Sequence, residues 1–144
     1  MPTVQDILKK QGEVAITNED TMVIAAAKMM SERRIGALVV ARGDKVVGIF
    51  TERDVLNRVV AEHRNPATTR VGEVMTSPVA CCKSTSPVAE CRSVMTEKRI
   101  RHLPVVDDGR LVGMLSSGDI LAMENRQQQE TIEYLHEYLH SGTR

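Results

Sequence analysis

GIFTERDVL, residues Gly48 to Leu56, returns 65 positions later as GMLSSGDIL, residues Gly113 to Leu121. In each copy an apolar run ends in a hydroxyl residue, Thr51 or Ser116, and three positions on a carboxylate, Asp54 or Asp119, opens an apolar-periodic stretch. A strand end, a hydroxyl, a carboxylate and a helix start are thus superposed twice. The match runs back to Met30, which aligns with Met95, and ten of the twenty-seven residues from there to Leu56 are identical without a gap. Average composition gives about one in sixteen by chance. The chain contains an internal duplication, and its function is to be sought in what is duplicated.

The flanking residues complete a repeating unit. IGALVVA and IRHLPVVD are β-branched runs that predict buried strands. VVGIF and LVGML predict the return strands after ARGDK and DDGR, where Asp and Gly tolerate hairpin backbone angles. Ahead of them a helix is predicted from Met22 to Arg34 with Ile24, Ala27 and Met30 on one face, and a partner helix carries Val88, Cys91, Val94 and Met95. Thr21 and Ser86 hold matching cap positions, and Pro87 suits a first helical residue. Both helices end in basic pairs, Arg33 with Arg34 and Lys98 with Arg99, which complement the negative pole of a helix. Val14 to Ile16 and Val79 to Cys81 predict short leading strands. VQDIL, Val4 to Leu8, has its counterpart in VGEVM, Val71 to Met75, at an offset of 67, so the first linker is two residues longer.

The predicted fold is therefore α/β (α+β): strand, helix, strand, strand, helix, twice over. The last helix runs from Asp54 to about Arg64 in the first copy, ended by Asn65 and Pro66. In the second it begins at Asp119 and extends to about His140, with Ile132, Leu135 and Leu139 as an apolar stripe. That extension suits packing on a second subunit or folding back on its own domain. The division by sequence is residues 1–66, 67–123 and a helical extension, 124–144.

Composition narrows the function classes. The chain has 144 residues, enough for one ordinary domain or two halves sharing a core. Nineteen basic residues balance nineteen acidic ones and only Phe50, Tyr134 and Tyr138 are aromatic, so a polymeric nucleic-acid partner is not expected. No run approaches the roughly 18 apolar residues of a membrane span, and MPTVQDIL has no signal-peptide pattern. The expected setting is the cytoplasm, with the three cysteines reduced. Cys81, Cys82, Cys91 and His102 lack the paired spacing of a zinc site, so no metal is expected. Nor does a base stand near Ser116 or Ser117 in sequence, and no GxxxxGK loop is present, so catalysis is not expected.

The duplicated hydroxyl and acid admit two readings. A hydroxyl followed three residues later by an acid forms a capping box that stabilises a helix and nothing more. A helix start also offers free amides and a positive pole to a phosphate, and the acid can accept two hydrogen bonds from a vicinal diol. Amide end plus acid suits a ribose phosphate.

The whole pattern, with IRHLPVVDDGRLVGMLSSGDIL as its most telling stretch, strongly resembles the CBS domain, named after cystathionine β-synthase. The resemblance covers about residues 3 to 123 as a tandem pair, the Bateman module, with pseudo-two-fold symmetry between repeats. It implies a regulatory module, not an enzyme, that binds adenosine ligands (AMP, ADP, ATP, NAD or S-adenosylmethionine) in two clefts between the repeats, needs no catalytic cofactor, dimerises, and signals to an effector protein. The ribose acids it implies are Asp54 and Asp119, with Thr51 and Ser116 as nearby hydroxyls. The adenine walls map to Ala37, Leu38 and Val39 and to His102, Leu103 and Pro104, with Thr17 and Val79 on the segments that close the base pocket. Many relatives have proline at the position of Val39, and Cys82 replaces Thr17 in the second copy. Arg53 aligns with Gly118, and Arg101 and His102 with Gly36 and Ala37, so inequivalent sites are predicted. The alternative function is a ligand-independent scaffold that docks onto an enzyme or transporter.

Overall fold

The computed structural model describes residues 1–142, without the side chains of residues 138 and 140–142. Two antiparallel hairpins form its centre: β2 (Ala37–Arg42) with β3 (Lys45–Thr51), and β4 (His102–Asp107) with β5 (Arg110–Ser116). Their turns differ. Gly43 alone is left-handed in the first, with φ 61°, whereas both Asp108 and Gly109 are in the second, with φ 49° and 79°. Both hairpins carry a register shift at the same place, Val40/Ala41 and Val105/Val106, so the duplication extends to backbone irregularities.

In the first repeat β1 (Ile16–Thr17) adds in parallel to β2, giving the order β1-β2-β3. The strand predicted at Val79 to Cys81 does not form; Cys82 alone bridges Val105. The cause is Pro104, which stands where Val39 stands in the first repeat. The Val39 amide donates to the Ala15 carbonyl at 3.1 Å, and proline has no amide to offer Ala80. Only the next pair survives, with Cys82 N donating to Pro104 O at 3.0 Å and Val106 N to Cys82 O at 2.8 Å.

Helices α2 (Val23–Arg33) and α5 (Val88–Lys98) cover the hairpins. Each starts just beyond its sequence prediction, with Met22 and Pro87 as caps, so Pro87 is not the first helical residue. The buried face of α2 is Val23, Ala26 and Met30; Ile24 is exposed and Ala27 only half-buried, one position off the predicted stripe. Both helices end on an arginine in the left-handed conformation, Arg34 and Arg99, at φ 55°. Those turns reverse the chain into the central strands and bring the basic helix ends to the middle of the molecule.

The short helices exchange partners. Val4 and Ile7 of α1 (Val4–Leu8) are buried in the core of the second repeat, beside Val88, Leu103 and Leu115. Val71 and Val74 of α4 (Val71–Val74) are buried in that of the first, beside Val23, Leu38 and Phe50. Backbone bonds fix the exchange: Val4 N to Ser86 O at 2.9 Å, Val71 N to Thr21 O at 2.8 Å. Division by packing thus differs from division along the sequence.

After β3 the chain forms α3 (Glu52–Asp54) and continues as a π-helical segment, Val55–Val60, rather than one α-helix to Arg64. Its wider turns are closed by bonds five residues apart, Ala61 N to Leu56 O at 2.9 Å and Arg64 N to Val59 O at 2.8 Å. The last helix, α6, runs from Ser117 to Gly142. Ile120 and Met123 join the second core, whereas Ile132, Tyr134, Leu135 and Leu139 are exposed. The side chains of Tyr138 and His140 lie outside the described residues.

Candidate functional site: two clefts between the repeats

Each candidate acid sits in a complete capping box. Thr51 N donates to Asp54 Oδ2 at 3.0 Å and Asp54 N to Thr51 Oγ1 at 3.2 Å. Ser116 N donates to Asp119 Oδ2 and Asp119 N to Ser116 Oγ, both at 3.0 Å. The stabilising role is therefore present in both copies. The boxes do more than cap, because each opens on a cavity.

The first cleft, about 280 Å³, is lined by Thr51, Arg53 and Asp54 from one repeat and by Lys98, Arg99, Arg101 and His102 from the other, with Thr76 and Val79 between them. The second, about 510 Å³, has Ser116 and Asp119 on one side and Arg33, Arg34 and Ala37 on the other, closed by the segment from Gln11 to Ala15. The two are related by the repeat. In each, the capped acid of one half faces the basic helix end of the other half across a gap.

The lead-in segments supply a residue that sequence reading did not find. Thr76 Oγ1 donates to Asp54 Oδ1 at 3.0 Å, and at the equivalent position Gln11 Nε2 donates to Asp119 Oδ2, also at 3.0 Å. No motif marks either residue; the available signal is their 65-residue separation, the same as that of the two acids. Arg58 adds a cation 3.6 Å from Asp54 Oδ1 and ties down the lead-in through a 2.8 Å bond to Met75 O. Asp54 is consequently 6% exposed. Asp119 is half-buried, and among the described residues both of its accepted bonds fall on Oδ2.

Charge separates the clefts. Arg53, Lys98, Arg99 and Arg101 face Glu52 and Asp54 in the first, whereas Arg33 and Arg34 face Glu13 and Asp119 in the second. His102 lines both. Burial lowers its pKa below the usual histidine value; Glu52 and Asp119 pull it upward and Arg101 downward.

Five candidates lie elsewhere. Leu38 and Leu103 are in the two hydrophobic cores, and Val39 is buried. Thr17, with its hydroxyl donating to Thr21 Oγ1 at 2.9 Å, and Pro104 are also buried and line neither cavity. The Leu38 and Leu103 side chains are spent on core packing. The cavities are lined by the helix ends and the first strand residues, 33–37 and 98–102.

The cysteines form a separate cluster. Cys81 is exposed, Cys91 is buried, and the Cys82 thiol shares a hydrogen bond with Cys91. Burial, then the neighbouring Cys91, pushes Cys82 up to about 12. No cluster of three or more metal-ligating side chains occurs among the described residues, and no helix among them is long and apolar enough to cross a membrane.

A duplicated fold with a capped acid facing a basic helix end in each of two inter-repeat clefts defines a tandem-repeat module with a pair of related clefts. The chain belongs to the CBS domain family, whose pattern it matches twice, over residues 4–61 and 71–125. A protein with CBS domains from Burkholderia ambifaria is 41% identical and superposes with a TM-score of 0.80, covering 83% of this chain and 91% of that one. The mitochondrial CBS domain-containing protein CBSX3 of Arabidopsis thaliana is 34% identical over 97% of this chain and 73% of its own length. The CBS domain pair of protein MJ0100, solved with 5-methylthioadenosine and S-adenosylmethionine, is 27% identical with a TM-score of 0.79, covering 88% and 98%. Other relatives are longer: the chain spans 22% of the Arabidopsis protein CBSCBSPB2. The chain is a CBS domain pair, a regulatory module.

Proposed function

We propose that this pair is a reversible sensor of adenosine ligands (AMP, ADP, ATP, NAD or S-adenosylmethionine) that signals to an effector protein. The observation that carries the reading is the pairing, in both clefts, of a capped carboxylate from one repeat with a basic helix end from the other. The acid accepts the ribose diol and the arginines take the phosphates. A ligand held at both ends draws the repeats together, and this shifts the module's shape to the extent that the closed arrangement binds better. The S-adenosylmethionine complex of the MJ0100 pair supports an adenosine ligand.

The clefts are inequivalent in this reading. Four cations against two carboxylates suit the first to a polyphosphate such as ATP or a diphosphate such as NAD. The roomier, charge-balanced second cleft suits a less anionic ligand, AMP or S-adenosylmethionine. The module acts by binding and not by turnover, as a homodimer and in the cytoplasm; sedimentation and localisation of the tagged chain test the last two, with the mitochondrial location of CBSX3 as the competing compartment.

The deciding experiment is thermal unfolding with AMP, ATP, NAD and S-adenosylmethionine, alongside Asp54→Ala and Asp119→Ala. A ligand at about 100 times its dissociation constant adds about 2.7 kcal/mol, several degrees for a chain of this size. Loss of the shift in one variant assigns the cleft. No shift with any ligand, from protein free of bound nucleotide, returns the function to a ligand-independent scaffold.

A further inference from the structure

Gly36 and His102 line both clefts, and of the two only His102 has a side chain. His102 opens β4 directly opposite Ser116, and its repeat-related position is Ala37, so the pseudo-two-fold symmetry gives the molecule one such imidazole and not two. It is half-buried between the halves. One carboxylate of each cleft acts on it, Glu52 from α3 in the first and Asp119 from α6 in the second, with Arg101 beside it on the approach to β4. A single polar side chain therefore stands as the common wall of two sites that the repeat otherwise makes separately.

We infer that His102 couples the two clefts, so that filling one weakens the other while the imidazole is neutral. A neutral imidazole offers one N–H and one acceptor nitrogen, whereas the protonated ring offers two N–H groups. An acceptor-rich phosphate in either cleft draws the single donor to itself. The second ligand then meets the acceptor nitrogen and binds more weakly until a proton supplies a second donor. Binding linkage is reciprocal, so either cleft can act first. The module would then respond to one ligand over a wider concentration range at alkaline pH than at acid pH.

This inference rests on the adenosine reading above, and the test separates the two. NAD is the probe, because its diphosphate keeps its charge across the pH range used; ADP is the second probe. Calorimetric titrations are run at about pH 8 and about pH 5, the lower point set well under histidine's usual pKa because burial lowers that of His102. Asp54→Ala and Asp119→Ala give each cleft alone. In the unmodified chain the second equivalent binds about five-fold more weakly at the higher pH than its cleft does alone, and the difference closes at the lower pH. His102→Ala removes the difference at both. His102→Gln, which keeps a donor and an acceptor without titrating, retains it at both. Stepwise constants equal to the single-cleft constants, or coupling that survives His102→Ala, overturn the inference and leave the sensor reading standing. Failure of both probes to bind overturns the inference, and the sensor reading falls with it when AMP, ATP and S-adenosylmethionine also leave the melting temperature unchanged.

Discussion

Gly48 and Gly113 hold equivalent positions on β3 and β5, and alanine should be tolerated at one and not at the other. A Cβ on Gly48 would stand 2.6 Å from Met75 Sδ and 3.0 Å from the Thr76 carbonyl oxygen. Met75 can swing away, but the carbonyl is backbone and is already engaged, accepting from Ile49 N at 3.0 Å while Thr76 N donates to Ile49 O at 2.8 Å. Relief to ordinary contact needs a retreat of about 0.4 Å by the strand-like lead-in. Overpacking of this kind costs about 1–3 kcal/mol, offset by about 0.4–1 kcal/mol from the stiffer unfolded chain. The net loss is about 1–2 kcal/mol, which lowers the melting temperature by about 2–8 °C at this length. A Cβ on Gly113 would come within 2.5 Å of Leu8 Cδ2, and its near neighbours are all atoms of that one flexible side chain. Rotation of Leu8 relieves it, so Gly113→Ala should shift melting by less than about 2 °C. Gly48→Ala should also weaken ligand binding in the first cleft, because the displaced segment carries Thr76 to Asp54. Thermal melts of both variants with and without ligand measure all of this. Equal destabilisation, or a larger loss at Gly113, would refute the argument that a backbone neighbour and not close approach alone sets the cost.

Other outcomes follow from the same geometry. Thr76→Val removes a hydroxyl bonded to a buried carboxylate and should cost about 1–3 kcal/mol in denaturant melts, with ligand affinity in the first cleft falling more than in the second. In timed alkylation at about pH 8 the exposed Cys81 should react first, while Cys82, whose pKa burial raises to about 12, and buried Cys91 should react only on unfolding. Asp107 is held below the usual carboxylate range by hydrogen bonds from Ser84. A lowered acid pKa favours the fold above the unfolded value and ceases to do so as pH falls through the folded one, so Asp107→Asn should flatten the acid limb of a stability-against-pH curve below about pH 4. His102 is also lowered, by burial first. The unfolded chain therefore takes up its proton before the fold does, and stability should fall as pH drops from about 6.5; His102→Gln should remove that slope from melts without ligand.

How much of this was written in the sequence depends on what kind of signal each part leaves. The hairpins, the covering helices and the duplicated acids were legible because hydrophobic period, turn residues and a repeat at fixed offset all mark them. The missing strand before β4 was legible in principle: Pro104 opposite Val39 removes one donor from one edge, but an apolar run read alone conceals that loss. The shifted face of α2 has another source. Ile24 is the larger side chain, yet the position next to the cap faces inward and Val23 occupies it. The resemblance places Leu38 and Leu103 at ligand walls, and the structure places their side chains in the two cores, while basic residues 33, 34, 98 and 99 read as simple complements to a helix pole. Thr76 and Gln11 sit in polar linkers with no pattern of their own; only tertiary structure brings them to the acids.

Because α1 packs on the second repeat and α4 on the first, Gln11 and Thr76 reach their acids from exchanged segments, not from within the repeat that bears the acid. Each cleft is therefore assembled from three stretches of chain: a capped acid, an exchanged lead-in and the basic end of the opposite half. A ligand that holds the acid and the basic end together must also compete with, or recruit, the lead-in residue already bonded to the acid. Asp54 has more to exchange, since Thr76 and Arg58 both engage it and it is nearly buried. Asp119 has one such partner among the described residues, Gln11, and stands more open. The more cationic cleft thus carries the more committed acid, so attraction for an anionic ligand works against a larger local rearrangement there, and movement of the lead-in is the change that ligand binding in that cleft would require.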